Sequence, residues 1–177
     1  MKVSVKNNEI KSSAGRIWLR AILTVLCLGV YAFIFYNSAL TEAQSTSQSS
    51  VVTDAVQDVV GTIAPESPIA TATGEEYEKL HDIIRAFAHF SEFTLLGALL
   101  IWCCFSYTDE AFFFLIPVCL LTFTPIIDES IQLFSSGRIA DVKDIIIDTV
   151  GGYFGCLFAF ISVWIGKGIR KRKKRVQ

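Results

Sequence analysis

Arg85–Tyr107, RAFAHFSEFTLLGALLIWCCFSY, is the stretch on which the fold turns. From Phe87 to Tyr107 it is almost unbroken in its apolar character and long enough to cross a bilayer core, which takes about 20 mostly apolar residues in a helix. Yet its first half carries His89 and Glu92, with Arg85 just before it. Three further runs of similar character flank it: Ile17–Leu40, Ala111–Ile127 with a continuation through Ile131, and Ile145–Gly166. The chain has 177 residues, 52% of them hydrophobic, with a mean hydropathy of +0.48, too apolar for an ordinary soluble domain of this size. These observations predict an all-α, polytopic membrane helical bundle with transmembrane helices over about 17–40, 87–107, 111–131 and 145–166. The third run is the shortest and meets Asp128 and Glu129 at its end, so a re-entrant segment is its structural alternative.

Basic residues flanking spans are retained in the cytoplasm. Lys2, Lys6, Lys11, Arg16 and Arg20 precede or enter the first span, and Lys167, Arg170, Lys171, Arg172, Lys173, Lys174 and Arg175 follow the last. Lys79, Arg85, Arg138 and Lys143 fall in the two loops that four spans place outside. Charge bias and span parity thus agree on cytoplasmic termini. The expected organisation is a basic N-terminus (1–16), a transmembrane domain (17–166) with an outer loop (41–84), and a polybasic tail (167–177). A cleaved signal peptide is the competing reading of the N-terminus, but its apolar stretch exceeds the usual length of about 7–15 residues. The tail reads as a stop-transfer anchor, with attraction to anionic headgroups as the alternative. No nucleic-acid partner is expected, because no folded domain surrounds the basic run. Cys27, Cys103, Cys104, Cys119 and Cys156 all lie in apolar runs and read as small buried residues rather than disulfide or metal residues.

Between the first two spans, after a polar linker, Val51, Val52, Ala55, Val56, Val59, Val60 and Ile63 form the stripe of an amphipathic extracellular helix over about 50–63, with Ser49 or Ser50 as N-cap. Its polar face carries Asp54, Gln57 and Asp58, so the apolar face is expected to pack over the outer ends of the spans rather than bind anionic lipid. A further helix is expected to begin near Glu75 and run directly into the second span.

Ionisable groups inside spans are costly, about 2.5–3.5 kcal/mol each at a helix centre on insertion scales, and they usually mark a site. At about 100° per residue, Arg85, His89 and Glu92 share one sector of the second span. Pro125, Glu129 and Gln132 share a face of the third, and Asp141, Asp144, Asp148, Gly151 and Gly155 a face at the start of the fourth. The alternating direction of the spans brings these faces to one depth at the outer side. Gly137 reads as a turn residue aiming Arg138 at the acids, and Gly151-xxx-Gly155 as a close-approach surface between helices. The expected ligand-binding set is Arg85, His89, Glu92, Glu129, Gln132, Arg138, Asp144 and Asp148. The plainer alternative is an interhelical salt-bridge network in which Arg85 or Arg138 neutralises Asp144, Asp148 or Glu92.

The ordered set Arg85-x-x-x-His89-Phe90-x-Glu92-Phe93, Glu129-x-x-Gln132-Leu133-Phe134, Gly137-Arg138 and Asp144-x-x-x-Asp148-x-x-Gly151-x-x-x-Gly155 resembles the VanZ-like family, as does Phe33–Ser38. Ala86 and Ser136 stand where family patterns often carry Lys and Pro, so the resemblance does not carry over a second basic ligand contact there, while the acid–His–Arg core is intact. The resemblance implies a bacterial cytoplasmic-membrane protein and, by analogy with a relative, lowered susceptibility to the glycopeptide teicoplanin; general envelope physiology is equally compatible.

Two functions follow. The first is binding of an amphiphile, a membrane lipid, a lipid-linked wall precursor or a glycopeptide-type antibiotic, with Arg85 and Arg138 on its head group. The second is intramembrane hydrolysis or transfer on a lipid-linked substrate, with His89 as acid or base, Glu92 sharing its proton and Arg138 stabilising negative charge. No cofactor is expected. No metal is expected either, since carboxylate-bridged bundles use two motifs of the type His89-x-x-Glu92 and this chain has one. Transport finds no inverted repeat. Association of two copies through Gly151 and Gly155 is left open. A reporter thiol introduced as Ser136→Cys, in a background without native cysteines, is expected to react with an impermeant maleimide applied to intact cells; protection until lysis would reverse the orientation.

Overall fold

The computed structural model describes residues 2–176, with side chains over 14–110, 112–169 and 172. The described chain is all-helical: α1 (Lys2–Ala39), α2 (Glu42–Ile63), α3 (Glu75–Tyr107), a 3-10 turn (Ala111–Phe114), α4 (Leu115–Gln132) and α5 (Val142–Val176). Ala14–Ala39, Glu75–Tyr107, Phe112–Gln132 and Val142–Ile169 are each long and apolar enough to cross a membrane. The third run is thus a full-length helix that passes Ile127 and ends at Gln132. The expected helix from Glu75 into the second span is continuous.

Side-chain pairings fix the direction of each span. Arg20 of α1 donates to the Ser106 carbonyl at 2.8 Å, whereas Asn37 lies 3.4 Å from Glu92, so α1 and α3 are antiparallel. Thr122 and Tyr153 share a hydrogen bond while Phe114, immediately before α4, packs edge-on against Phe160, so α4 and α5 are antiparallel too. Thr94 meets Gly151 and Trp102 meets Ser162, which makes α3 and α5 parallel. Four alternating spans result. The ends of α1 and α4 and the starts of α3 and α5 gather at one end of the bundle, here the distal end, with α2 and the 133–141 loop.

α3 is the central helix. Its Phe93, Leu96, Leu99 and Ile101 are buried among Cys27 and Ile34 of α1, Leu121 of α4, and Cys156 and Ala159 of α5. In lipid, tails are as apolar as leucine, so helices associate through close packing and hydrogen bonds rather than through hydrophobic exclusion. Glycines supply the closeness. A Cβ built on Gly97 would overlap the Gly152 carbonyl, and Cβ atoms on Gly151 and Gly155 would overlap the Phe90 and Thr94 carbonyls. Thr94 donates to the Gly151 carbonyl at 3.0 Å across this contact. The glycine surface is therefore spent on α3 of the same chain, which leaves Gly151 and Gly155 no free face for joining two copies.

α2 departs from expectation in two ways. It starts at Glu42 rather than near residue 50, because Thr41 and Gln44 form a reciprocal capping box that makes the polar linker helical. Nor does the whole valine stripe pack inward: Val51, Val52, Val59 and Ile63 stay exposed, whereas Thr53 is fully buried. Hydrogen bonding decides the orientation. Gln57 donates to the Ile69 and Ala72 carbonyls at 3.0 Å, satisfying a turn that would otherwise present bare acceptors, and Tyr77 of α3 donates to Asp54 at 2.8 Å.

Gly155→Ala is expected to destabilise the bundle by on the order of 2 kcal/mol through overpacking, read as a lowered unfolding midpoint in detergent. The same substitution at Gly166, where a Cβ meets nothing within 4 Å, should leave the midpoint unchanged.

Candidate functional site

At the distal end, the last turn of α1 presents Asn37 and Ser38, and Ser38 is buried. Its hydroxyl donates to Asp128 Oδ1 on α4. Asp128 Oδ2 accepts from Gln132 Nε2, one helical turn on, at 3.1 Å. Asp128 and Gln132 are each 1% exposed, so both carboxylate oxygens are held in one orientation away from water.

His89 on α3 faces this carboxylate. Its Nδ1 stands 3.5 Å from Asp148 Oδ1 on α5, and Asp148 is also 1% exposed. The glycine contact just beyond Asp148 holds α5 close enough for that approach. Glu92, one turn further along α3, lies 3.4 Å from the Asn37 amide.

The 133–141 loop brings in Arg138. Gly137 has φ of +85°, a left-handed conformation that glycine adopts without strain, as the turn reading requires. Ser135 Oγ donates to the Ser38 carbonyl at 3.1 Å and the Glu42 N–H to the Ser136 carbonyl at 3.1 Å, tying the loop to α1 and α2. Arg138 then folds back over the acids. Its Nε and Nη1 are buried without a hydrogen-bond partner. Burial, and after it the nearby charge of Arg85, push its pKa below the ordinary arginine value against the opposing pull of Asp128, Glu129 and Asp144.

These groups line a cavity of about 330 Å³. Arg85, His89, Glu92, Asp128 and Arg138 form its polar side; Phe33, Ile34, Val52 and Ile84 contribute apolar wall; Ser45, Gln48 and Ser49 of α2 close the remaining side. Among the residues singled out from the sequence, Arg85, His89, Glu92 and Arg138 meet in this cavity, with Asp148 behind His89 and Gln132 behind Asp128. Glu129 instead accepts the Asp141 N–H at 2.6 Å and pins the loop, and Asp141 Oδ1 accepts the Lys143 N–H at the start of α5. Asp144 is half-buried and lies off the cavity lining. The salt-bridge network does not form: among the described residues, neither Arg85 nor Arg138 has a carboxylate within 4.0 Å.

Asp128, Ser38 and Asn37 were not anticipated as site residues, nor was the part of α2 before residue 50. Asp128 had a legible signal. It lies one turn before Gln132 and three residues after Pro125, on the face already drawn through those two. His89 and Asp128 with Asp148 also form a three-residue cluster whose potential ligand atoms all lie within 4.8 Å of one another, contributed by three different helices. The one-helix spacing of His89 and Glu92 could not reveal that grouping.

A four-span helical bundle with a polar recess between its spans at one end defines a small polytopic membrane protein. The chain belongs to the VanZ/LLP1 family, whose model matches residues 23–164 and so takes in the second and third spanning helices, α2, the 133–141 loop and most of the first and fourth spans. No curated protein and no solved structure gives a significant match.

Ser38→Ala removes a buried donor to Asp128 and is expected to cost about 1–3 kcal/mol, the range for leaving a buried acceptor short of a partner. Chemical unfolding of the variant in mixed micelles checks this, and Ser38→Thr, which keeps the hydroxyl, should recover most of the loss.

Proposed function

We propose that the chain binds an anionic amphiphile at the distal recess, with the head group on Arg85 and Arg138 and the tail along the apolar wall of Phe33, Ile34 and Ile84. One observation carries this reading: Arg138 lines a cavity that already holds a second arginine, and its buried Nε and Nη1 have no hydrogen-bond partner. Guanidinium forks match carboxylate and phosphate oxygens in paired, charge-assisted hydrogen bonds, so an anionic group at this point would satisfy donors the protein leaves open. The volume, about 330 Å³, suits a head group and the first part of a chain rather than a whole lipid.

In a bacterial cytoplasmic membrane with both termini in the cytoplasm, as the flanking lysines and arginines indicate, the recess opens at the exterior leaflet. Lipid-linked wall precursors and lipid-tailed glycopeptide antibiotics share the required chemistry, an anionic or carboxylate-bearing polar head with an apolar tail. Family membership links the reading to antibiotic susceptibility by analogy.

A second reading has its own observation. The imidazole and carboxylate of His89 and Asp148 are paired at 3.5 Å beside the cavity, an arrangement suited to general acid–base chemistry on a bound lipid-linked substrate. Turnover of radiolabelled lipid by purified protein, abolished in His89→Ala, would favour it over binding alone.

For the leading reading, nanodisc-embedded protein is expected to bind lipid-linked precursor or teicoplanin at least tenfold more weakly once Arg85→Ala and Arg138→Ala are combined. Separate titrations of the two ligands distinguish precursor from antibiotic. Undiminished binding of both by the double variant would remove the basis of the proposal.

A further inference from the structure

We propose that His89, Asp128 and Asp148 form a binding site for a divalent transition-metal ion, Zn²⁺ or Mn²⁺, at the floor of the distal recess. The proposal concerns different side chains from those that hold the amphiphile and is tested with the metal alone.

Geometry is the first argument. One imidazole and two carboxylates, each on a different helix, bring their potential ligand atoms within 4.8 Å of one another. Two ligands about 2.1 Å from a tetrahedral ion stand roughly 3.4 Å apart. The His89–Asp148 separation of 3.5 Å already has that value. Small side-chain adjustments bring the third ligand in.

Unsatisfied chemistry is the second. His89 Nδ1 and Asp148 Oδ1 face each other at 3.5 Å without hydrogen-bond geometry, neither atom has a further partner, and Asp148 is 1% exposed. Asp128 is buried to the same degree, and among the described residues no lysine or arginine lies within 4.0 Å of either aspartate. Two buried carboxylates beside one histidine make a costly site unless a cation supplies the missing charge. A dication supplies both units of it at one point.

The surroundings are those of a ligand rather than a mere acid. Ser38 and Gln132 each donate to one oxygen of Asp128, fixing the carboxylate plane while leaving a further lone pair on each oxygen. The nitrogen ligand selects the ion class: Mg²⁺ and Ca²⁺ take oxygen ligands almost exclusively, whereas imidazole with carboxylate suits Zn²⁺ and Mn²⁺. Because His89 and Asp128 also line the cavity, the remaining coordination positions face the space where water or an anionic oxygen can enter.

The test uses full-length protein in nanodiscs, purified without a polyhistidine tag and stripped with chelator. Titration with ZnCl₂ and with MnCl₂, followed by elemental analysis after desalting, is expected to give one ion per chain for at least one of the two metals. Asp128→Asn, Asp148→Asn and His89→Ala should each weaken binding at least tenfold, while Glu110→Gln and His81→Ala, outside the cluster, should bind like wild type. Absence of stoichiometric binding, or undiminished binding by Asp148→Asn, overturns the proposal. Should these variants fail to fold, the wild-type melting temperature decides: a rise with Zn²⁺ or Mn²⁺ exceeding that with Mg²⁺ supports the site, and an equal or absent rise overturns it.

Discussion

The distance of closest approach between α3 and α5 governs the rest of this molecule. Gly97, Gly151 and Gly155 allow the two backbones to meet almost directly, and no bulkier residue fits where their hydrogens sit. His89 is one residue before Phe90, and Asp148 three before Gly151, so the same contact that joins the helices brings imidazole and carboxylate together. Separating the helices by the width of a methyl group would open that pair and drain the floor of the cavity into the lipid. The glycines, unreactive themselves, thereby determine the electrostatics of the site.

The site is also shaped by what its cations do not do. Arginine beside buried acids usually forms a bidentate pair, yet Arg138 is held by a loop fastened at Ser135, Ser136 and Glu129, and among the described residues its guanidinium has no carboxylate within 4.0 Å. Acids and guanidinium groups line the same polar side of the cavity, Glu92 beside Arg85 on α3 and Asp128 of α4 within the field of Arg138 from the loop. Among the described residues they do not close into guanidinium–carboxylate pairs, so the arginines stay open to a ligand.

Much of this was written in the sequence because a bilayer imposes coarse rules. Four apolar runs of adequate length could become little other than spanning helices, and Glu75–Phe87 could be read as an extension of the second because its periodicity is unbroken. The turn at Gly137 and the close approach at Gly151 and Gly155 were visible for the same reason: few residues other than glycine serve there. Asp128 was passed over because the polar face of the third span was centred on Glu129, its neighbour, whereas the buried sector is wide enough to include Leu121, Thr124, Pro125, Asp128, Glu129 and Gln132 together. On α2, hydrophobic patterning gave the inward face only in part: Val56 and Val60 are half-buried and Val52 lines the cavity, but Val51, Val59 and Ile63 stay exposed. The open carbonyls of Ile69 and Ala72 required Gln57, and the need to satisfy them outweighed the burial of a few valines.

The parallel arrangement of α3 and α5 bears on how the chain is made. Parallel neighbours cannot be joined by a short hairpin, so α4 must cross the membrane in between, and Asp148 is the last member of the cluster to leave the ribosome. The fourth span supplies both the glycine contact to α3 and the carboxylate beside His89, so a chain truncated before Asp148 retains three apolar segments but lacks that part of the site.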